Sequence, residues 1–347
     1  MVLKIVFSVL RTKIASVSFV FISVWYLMLA VFTTAQAAQS AQPVVRDDNS
    51  QLSLALNLPL YTWQVPSAAP KAVIVTIHGV TLHGGVFDKL ATALAEDGYL
   101  VVSPDLRGFG RWYLGNNTFV PDGAVSFYKS RADLIRLLAA LKDKYAGLPI
   151  FLIGESLGGN LALWLASACP QNLNGVIISS PCAKRKLDLC STMVVDTLKA
   201  ATDRKRQVPT RPYAKRYLSE SPRIINSYLE DPLIRKTMTV YESFQSLHTA
   251  RSTLWFVDQI PASMPLLVFE GTKDKMFDPK QIEPLLRKIQ VNDKNVIWLK
   301  DKGHIQLETP FVSQEVINAI SVWLNDHSRQ SKEADLLSTN DSRQEED

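Results

Sequence analysis

Pro149-Ile150-Phe151-Leu152-Ile153-Gly154-Glu155-Ser156-Leu157-Gly158-Gly159 is the stretch that decides how this 347-residue chain is read. The apolar run Pro149–Ile153 predicts a buried strand, and Leu157–Ala168 predicts a helix. Between them stands G-x-S-x-G. Three fixed positions are a weak pattern, and a glycine-rich turn with an incidental serine also satisfies them. Placement at a strand-to-helix junction is what makes it a nucleophile elbow. Such a turn strains the serine backbone, so its neighbours must be small, and Gly154 and Gly158 let strand and helix approach. The Ser156 oxygen then projects from the C-terminal edge of a sheet, at a helix N-terminus whose dipole favours negative charge.

Outward from the elbow, strand-like and helical runs alternate. Ala72–His78 is a continuous β-branched run, as in a strand buried on both faces. Strands are also expected at Tyr99–Asp105, Gly175–Ser180, Pro265–Glu270 and 295–300, with helices at Phe87–Glu96, Ser126–Tyr145, 279–289 and 311–325. Leu52–Val65 is expected to give one or two antiparallel strands. This alternation predicts an α/β architecture, a mostly parallel sheet with helices on both faces, whose core spans 50–181 and 263–326. Between 182 and 262 the alternation stops and prolines 209, 212, 222 and 232 interrupt a helix-prone stretch, which reads as an inserted helical cap. From Lys184 to Arg223 the cap carries eleven basic residues against four acidic ones, net +7. A solvated surface and a face for anionic headgroups or substrates both account for that excess. The charged, aromatic-free segment 327–347 is expected to be a disordered tail.

Composition bounds the function. At 47% hydrophobic and 20% charged residues the chain is globular, and a net charge of +5 with no recognition motif gives no reason to invoke nucleic acid. Lys4, Arg11 and Lys13 precede a 19-residue apolar stretch, 14–32, and Ala35-Gln36-Ala37 offers a cleavage site. Two readings stay open: a signal peptide over 1–37 with an exported (periplasmic or secreted) body, or a membrane anchor through 14–32. Three cysteines, Cys169, Cys182 and Cys190, form no C-x-x-C pair. A Cys182–Cys190 bridge and three reduced thiols both fit.

A nucleophilic serine needs a base, a group to orient that base, and donors for the oxyanion. After the strand Pro265–Glu270 come two carboxylates, Asp274 and Asp278. Asp274 lies in the loop at the strand end and is assigned as the orienting acid, while Asp278, before Pro279, takes the N-cap role. After the strand 295–300 comes Gly303-His304, and His304 is the base. The order Ser, Asp, His is the one a sheet of this type demands. Backbone N–H groups of Val80 and Leu157 are the oxyanion donors. His78 and His83 lack the accompanying Cys, His or Asp cluster of a metal site and are expected to shape their loop through ring hydrogen bonds. Asp105 and Arg107 are expected to pair or to bind backbone groups.

His78-Gly79, Asp105-Leu106-Arg107-Gly108-Phe109-Gly110, Gly154-Glu155-Ser156-Leu157-Gly158-Gly159, Gly271-Thr272-Lys273-Asp274 and Gly303-His304 together resemble the α/β-hydrolase superfamily. They look most like its monoacylglycerol lipase/lysophospholipase-like branch, which also holds proline-type serine aminopeptidases. The resemblance covers about residues 70–325. It implies an eight-stranded sheet with a cap after the sixth strand, and a serine hydrolase that cleaves carboxylic esters without a cofactor or metal. The implied substrate is a lipid-like monoester, a monoacylglycerol or lysophospholipid; the basic cap and the N-terminal segment, read on their own residues, offer membrane-surface contact. A serine aminopeptidase or acyltransferase on the same triad is the alternative chemistry, and a non-catalytic binding protein of the same fold is the alternative class. The sequence departs from the branch at Gly110-Arg111-Trp112, where relatives more often carry serine after the glycine, and in its basic, proline-rich cap.

Overall fold

The computed structural model describes residues 43–115, 118–119, 122–183, 203 and 205–344. The expected signal or anchor segment 1–37, and Cys190, lie outside these residues. Among the described ones, no helix is long and apolar enough to cross a membrane.

The chain opens with β1 (Val45–Asp47), α1 (Gln51–Leu56), β2 (Leu60–Gln64) and β3 (Val73–Ile77). Then follow α2 (Asp88–Glu96), β4 (Leu100–Pro104), α3 (Gly110–Leu114), α4 (Phe127–Lys144), β5 (Ile150–Glu155), α5 (Leu157–Ala168) and β6 (Gly175–Ser179). The segment after β6 holds β7 (Gln207–Pro209), α6 (Arg211–Tyr217), α7 (Pro222–Glu230), β8 (Thr237–Thr239) and α8 (Val240–Thr253). The core resumes with β9 (Leu266–Gly271), α9 (Ile282–Lys288), β10 (Lys294–Leu299) and α10 (Gln314–Gln344). Eight strands form one sheet in the order β1-β2-β4-β3-β5-β6-β9-β10, with β2 antiparallel to both neighbours and every pairing from β4 to β10 parallel. The mostly parallel eight-stranded sheet is therefore present, and the long insertion falls after its sixth strand. That insertion is not wholly helical, because β7 and β8 pair antiparallel within it.

Alternate residues of the buried strands feed two cores. Val73, Val75, Ile150 and Leu152 pack with Leu134, Leu138 and Leu161 on one face. Ile74, Phe151 and Ile153 pack with Leu90, Leu94, Ile317 and Ile320 on the other. Runs such as Val73–Ile77 are buried at every position, and apolar at all but Thr76, because both faces are covered.

Two segments differ from the sequence reading. Leu52–Leu56 is helix, not strand: Leu52, Leu54 and Leu56 alternate as in a strand, but Ser50 caps the Ser53 N–H and Asn57 closes the turn in the left-handed region. The tail is also not irregular from 327, because α10 continues to Gln344. No glycine or proline follows Pro310 to stop it. His327 belongs to this helix, stacking on Trp323 at 4.0 Å between ring centroids and pairing with Asp293 at 2.8 Å.

Candidate active site

Ser156 sits at the junction of β5 and α5 with φ 56° and ψ −125°, a strained conformation for a residue with a side chain. Its glycines leave the chain no choice. A Cβ on Gly158 would stand 1.8 Å from the Ile77 carbonyl oxygen, and one on Gly154 would stand 2.4 Å from the Gly158 oxygen. Helix α5 can therefore approach β3 only without those side chains.

The two other strand ends deliver the partners. Past β9, the buried Asp274 accepts the Met276 N–H (2.6 Å) and Phe277 N–H (3.1 Å) on Oδ1, which frees Oδ2 to face His304 Nδ1 at 2.7 Å. Past β10, His304 Nε2 lies 2.8 Å from Ser156 Oγ. With Nδ1–H donating to Asp274, Nε2 is the acceptor of the serine hydroxyl proton. Burial opposes a charged imidazole, but the charge and hydrogen bond of Asp274, with the charge of Glu155, outweigh it and hold the His304 pKa above its usual value. Asp278 is at the entry to the turn before α9, where its side chain accepts the Lys280 N–H at 3.2 Å. Leu157 opens α5, whose first N–H groups have no carbonyl partner within the helix. The loop carrying Val80 lies against Ser156, since a Cβ on Gly79 would be 3.3 Å from Ser156 Cβ.

Both loop histidines are fully engaged with protein. His78 bonds the Gly79 carbonyl through Nδ1 (2.8 Å) and accepts the Leu106 N–H on Nε2 (2.9 Å), and burial lowers its pKa to about 4. His83 accepts the Gly85 N–H on Nδ1 (3.1 Å) and donates from Nε2 to Asp231 (2.9 Å). Asp105 and Arg107 do not pair with each other. Asp105 holds Arg111 (2.8 Å) and accepts the Gly84 N–H, while Arg107 pairs with Asp133 (2.5 Å). Arg111, the residue standing where serine is usual, thus neutralises a buried aspartate beneath the loop. Cys182 is a free, buried thiol 3.6 Å from Ser156 Oγ, and burial pushes its pKa up to about 12.

Sequence reasoning missed a set of buried carboxyls around these residues. Glu155 accepts the N–H groups of Gln306 (2.8 Å), Leu307 (3.0 Å) and Glu308 (2.9 Å) and the Ser179 hydroxyl (2.6 Å), so it pins the chain just after His304. Glu308 accepts the Gly79 N–H at 2.6 Å, tying that chain to the Val80 loop. Burial, then the charge of Glu155, raises the Glu308 pKa well above the carboxylate range. Glu270 is pushed up to about 9 by burial and by Asp274 and Glu155. A signal for Glu155 did exist: an acid in the last position of a strand otherwise apolar must find donors inside the fold. The cap grips His304 from both sides as well. Glu220 accepts the Gly303 N–H (2.6 Å), and the Leu218 carbonyl accepts the Ile305 N–H (3.1 Å). A cavity of about 440 Å³ opens between cap and core, lined on its apolar part by Leu82, Val86, Leu218, Ile224, Ile234 and Ile305 and elsewhere by polar side chains including Asp88, Lys89, Asp231 and Glu308.

A serine on the elbow after β5, a carboxylate past β9 and a histidine past β10 of a mostly parallel sheet define an α/β-hydrolase. The chain belongs to the Hydrolase_4 family, described as serine aminopeptidase, S33, whose model matches residues 68–308. It is 26% identical to the monoglyceride lipase of Homo sapiens over 262 residues, 75% of this chain and 84% of that one. It is 27% identical to phospholipase YtpA of Bacillus subtilis over 233 residues, 64% of this chain and 83% of that one. The fold is also that of the Paleococcus ferrophilus monoacylglycerol lipase, with a TM-score of 0.62, 24% identity and coverage of 78% of this chain and 99% of that one. A soluble variant of the Saccharomyces cerevisiae monoglyceride lipase gives a TM-score of 0.63 at 20% identity, covering 78% and 92%.

Proposed function

We propose that Ser156, His304 and Asp274 form a catalytic triad that hydrolyses lipid-like monoesters, monoacylglycerols or lysophospholipids, through an acyl-enzyme. The broader class, carboxylic-ester hydrolase, is that of the relatives and of the fold. The observation that carries the finer reading is the single imidazole joining Asp274 Oδ2 at 2.7 Å to Ser156 Oγ at 2.8 Å. Ser156 Oγ attacks the ester carbonyl as His304 Nε2 takes its proton. The Val80 and Leu157 N–H groups stabilise the oxyanion of the tetrahedral intermediate. Asp274 keeps Nδ1 protonated and stabilises the imidazolium, which then protonates the departing alcohol. Water, activated by the same imidazole, releases the acid and restores Ser156. No step calls on a metal or cofactor.

Lipid-like substrates are supported by the names of the relatives and by the apolar part of the cavity lining beside Ile305. Contact with a lipid surface and export, or anchoring through 14–32, belong to the same proposal. The basic balance of 184–223 and the exposed aromatics Tyr241, Phe244 and Trp255 support the first. Failure of the protein to float with anionic vesicles would remove it. An N-terminus beginning at residue 38 in protein recovered outside the cytoplasm would support cleavage, and an intact N-terminus in the membrane fraction would support the anchor. The description of the family favours one rival, peptide-bond cleavage. Purified protein is expected to release fatty acid from monoacylglycerol or lysophospholipid and to leave aminoacyl-naphthylamides intact. The opposite preference would replace the lipase reading with the peptidase one.

A further inference from the structure

Thr81, one residue after the oxyanion donor, has φ of +72°. A β-branched residue there is a true outlier, held only where its surroundings impose it. The surroundings come from the cap. The Thr81 carbonyl accepts the Arg235 N–H at 2.8 Å, and the Thr81 hydroxyl lies 2.8 Å from the buried Tyr228 hydroxyl. That same hydroxyl donates to the Val80 carbonyl. His83 donates to Asp231 at 2.9 Å, and Leu82 packs with Tyr228 and Ile234. The cap segment is itself fastened elsewhere: the Arg235 guanidinium donates to the Gly108 carbonyl (3.0 Å) and the Gly123 carbonyl (3.1 Å) and pairs with Glu242 (2.8 Å). Its hold on Thr81 therefore does not depend on Thr81 for its own position.

Granted that Ser156 is the nucleophile and Val80 an oxyanion donor, we propose that the cap segment from Tyr228 to Arg235 is a positioning element, keeping Thr81 strained so that the Val80 N–H meets the developing oxyanion. The cap then governs rate as well as substrate choice. When its grip loosens, Thr81 relaxes toward negative φ, the Val80 peptide turns, and oxyanion stabilisation falls while the apolar walls still bind substrate. Tyr228 and Thr81 touch no reacting atom; they act through Val80.

The test is steady-state kinetics on a soluble short-chain p-nitrophenyl ester. Tyr228→Phe is expected to lower kcat about tenfold, a fraction of the loss for a whole oxyanion donor, with KM within about twofold of wild type. Glycine adopts positive φ freely, so Thr81→Gly in the Tyr228→Phe background is expected to recover kcat by about threefold or more. An unchanged kcat in Tyr228→Phe, a loss confined to KM, or a double variant no faster than the single one overturns the proposal. Should the glycine variant not fold, Asp231→Asn replaces it: a kcat-only loss supports the proposal and wild-type kcat overturns it. Ser156→Ala separates the two levels. If it remains active, the triad reading itself fails; if it is inert while Tyr228→Phe behaves as wild type, only the role of the cap falls.

Discussion

The strand ends fix Ser156 and Asp274 by backbone contact, whereas the cap reaches the chain around His304 and the Val80 loop through individual side chains as well as two backbone bonds, Leu218 to Ile305 and Arg235 to Thr81. Gly158 meets the Ile77 carbonyl so closely that an added Cβ would lie 1.8 Å away, and a Cβ on Gly271 would lie 2.1 Å from the Gly303 oxygen. Nothing short of moving strands changes those positions. Beside its two backbone bonds the cap uses Glu220 on Gly303, Tyr228 on Thr81 and Asp231 on His83, each a side-chain hydrogen bond that one substitution alters. The difference teaches where variation is tolerated. On the proposed reading, changes at the strand ends are expected to remove chemistry or fold, and changes in the cap to grade the rate.

The largest effects fall on the strand ends. On the proposed triad, Ser156→Ala and His304→Ala are each expected to reduce kcat by roughly 10⁵–10⁶-fold and to be no worse when combined, because members of such a triad act as a unit. Asp274→Asn is expected to cost about 10⁴-fold by presenting the wrong tautomer. Asp278→Asn keeps a capping side chain and is expected to stay within about twofold. Equal losses in the two aspartate variants, measured in one esterase assay, would break the distinction between acid and cap. On the cap side, Glu220→Ala frees the Gly303 N–H and is expected to lower kcat about tenfold, a modest fraction of a triad loss. A loss as large as that of His304→Ala would erase the contrast between the two regions.

Smaller effects follow from protonation. As the proposed base His304 must be neutral, and against the opposing effect of burial Asp274 holds its pKa above the usual imidazole value. The acid limb of kcat/KM is therefore expected at a higher pH than an ordinary imidazole would give, and Asp274→Asn is expected to move it down. Glu270 is displaced from its ordinary 4.5 to about 9 by folding. Between those values the folded chain keeps a proton that the unfolded chain has released, so stability falls as pH rises across that window. Glu270→Gln is expected to flatten the dependence of Tm on pH, and an unchanged slope would show that this carboxyl ionises without cost.

The sheet was legible because strands buried on both faces, such as Val73–Ile77 and Ile150–Ile153, leave apolar runs, and because each chemical residue lies just past one of them. Alternating leucines misled at Leu52–Leu56, where the caps Ser50 and Asn57 outweigh the pattern. Charge misled at 327–344, where α10 continues to Gln344. The grip of the cap and of Glu155 and Glu308 on the site was hidden for another reason. Those bonds join positions far apart in the chain, 83 residues for Glu220 and Gly303 and 229 for Glu308 and Gly79, and leave no local pattern.

A fluorophosphonate that phosphonylates active serines tests the central claim most directly, read by peptide mass spectrometry. The expected result is one adduct on Ser156 in the wild-type protein, none in Ser156→Ala, and labelling slowed by orders of magnitude in His304→Ala. Labelling at another residue, or at an unchanged rate without His304, would contradict the account.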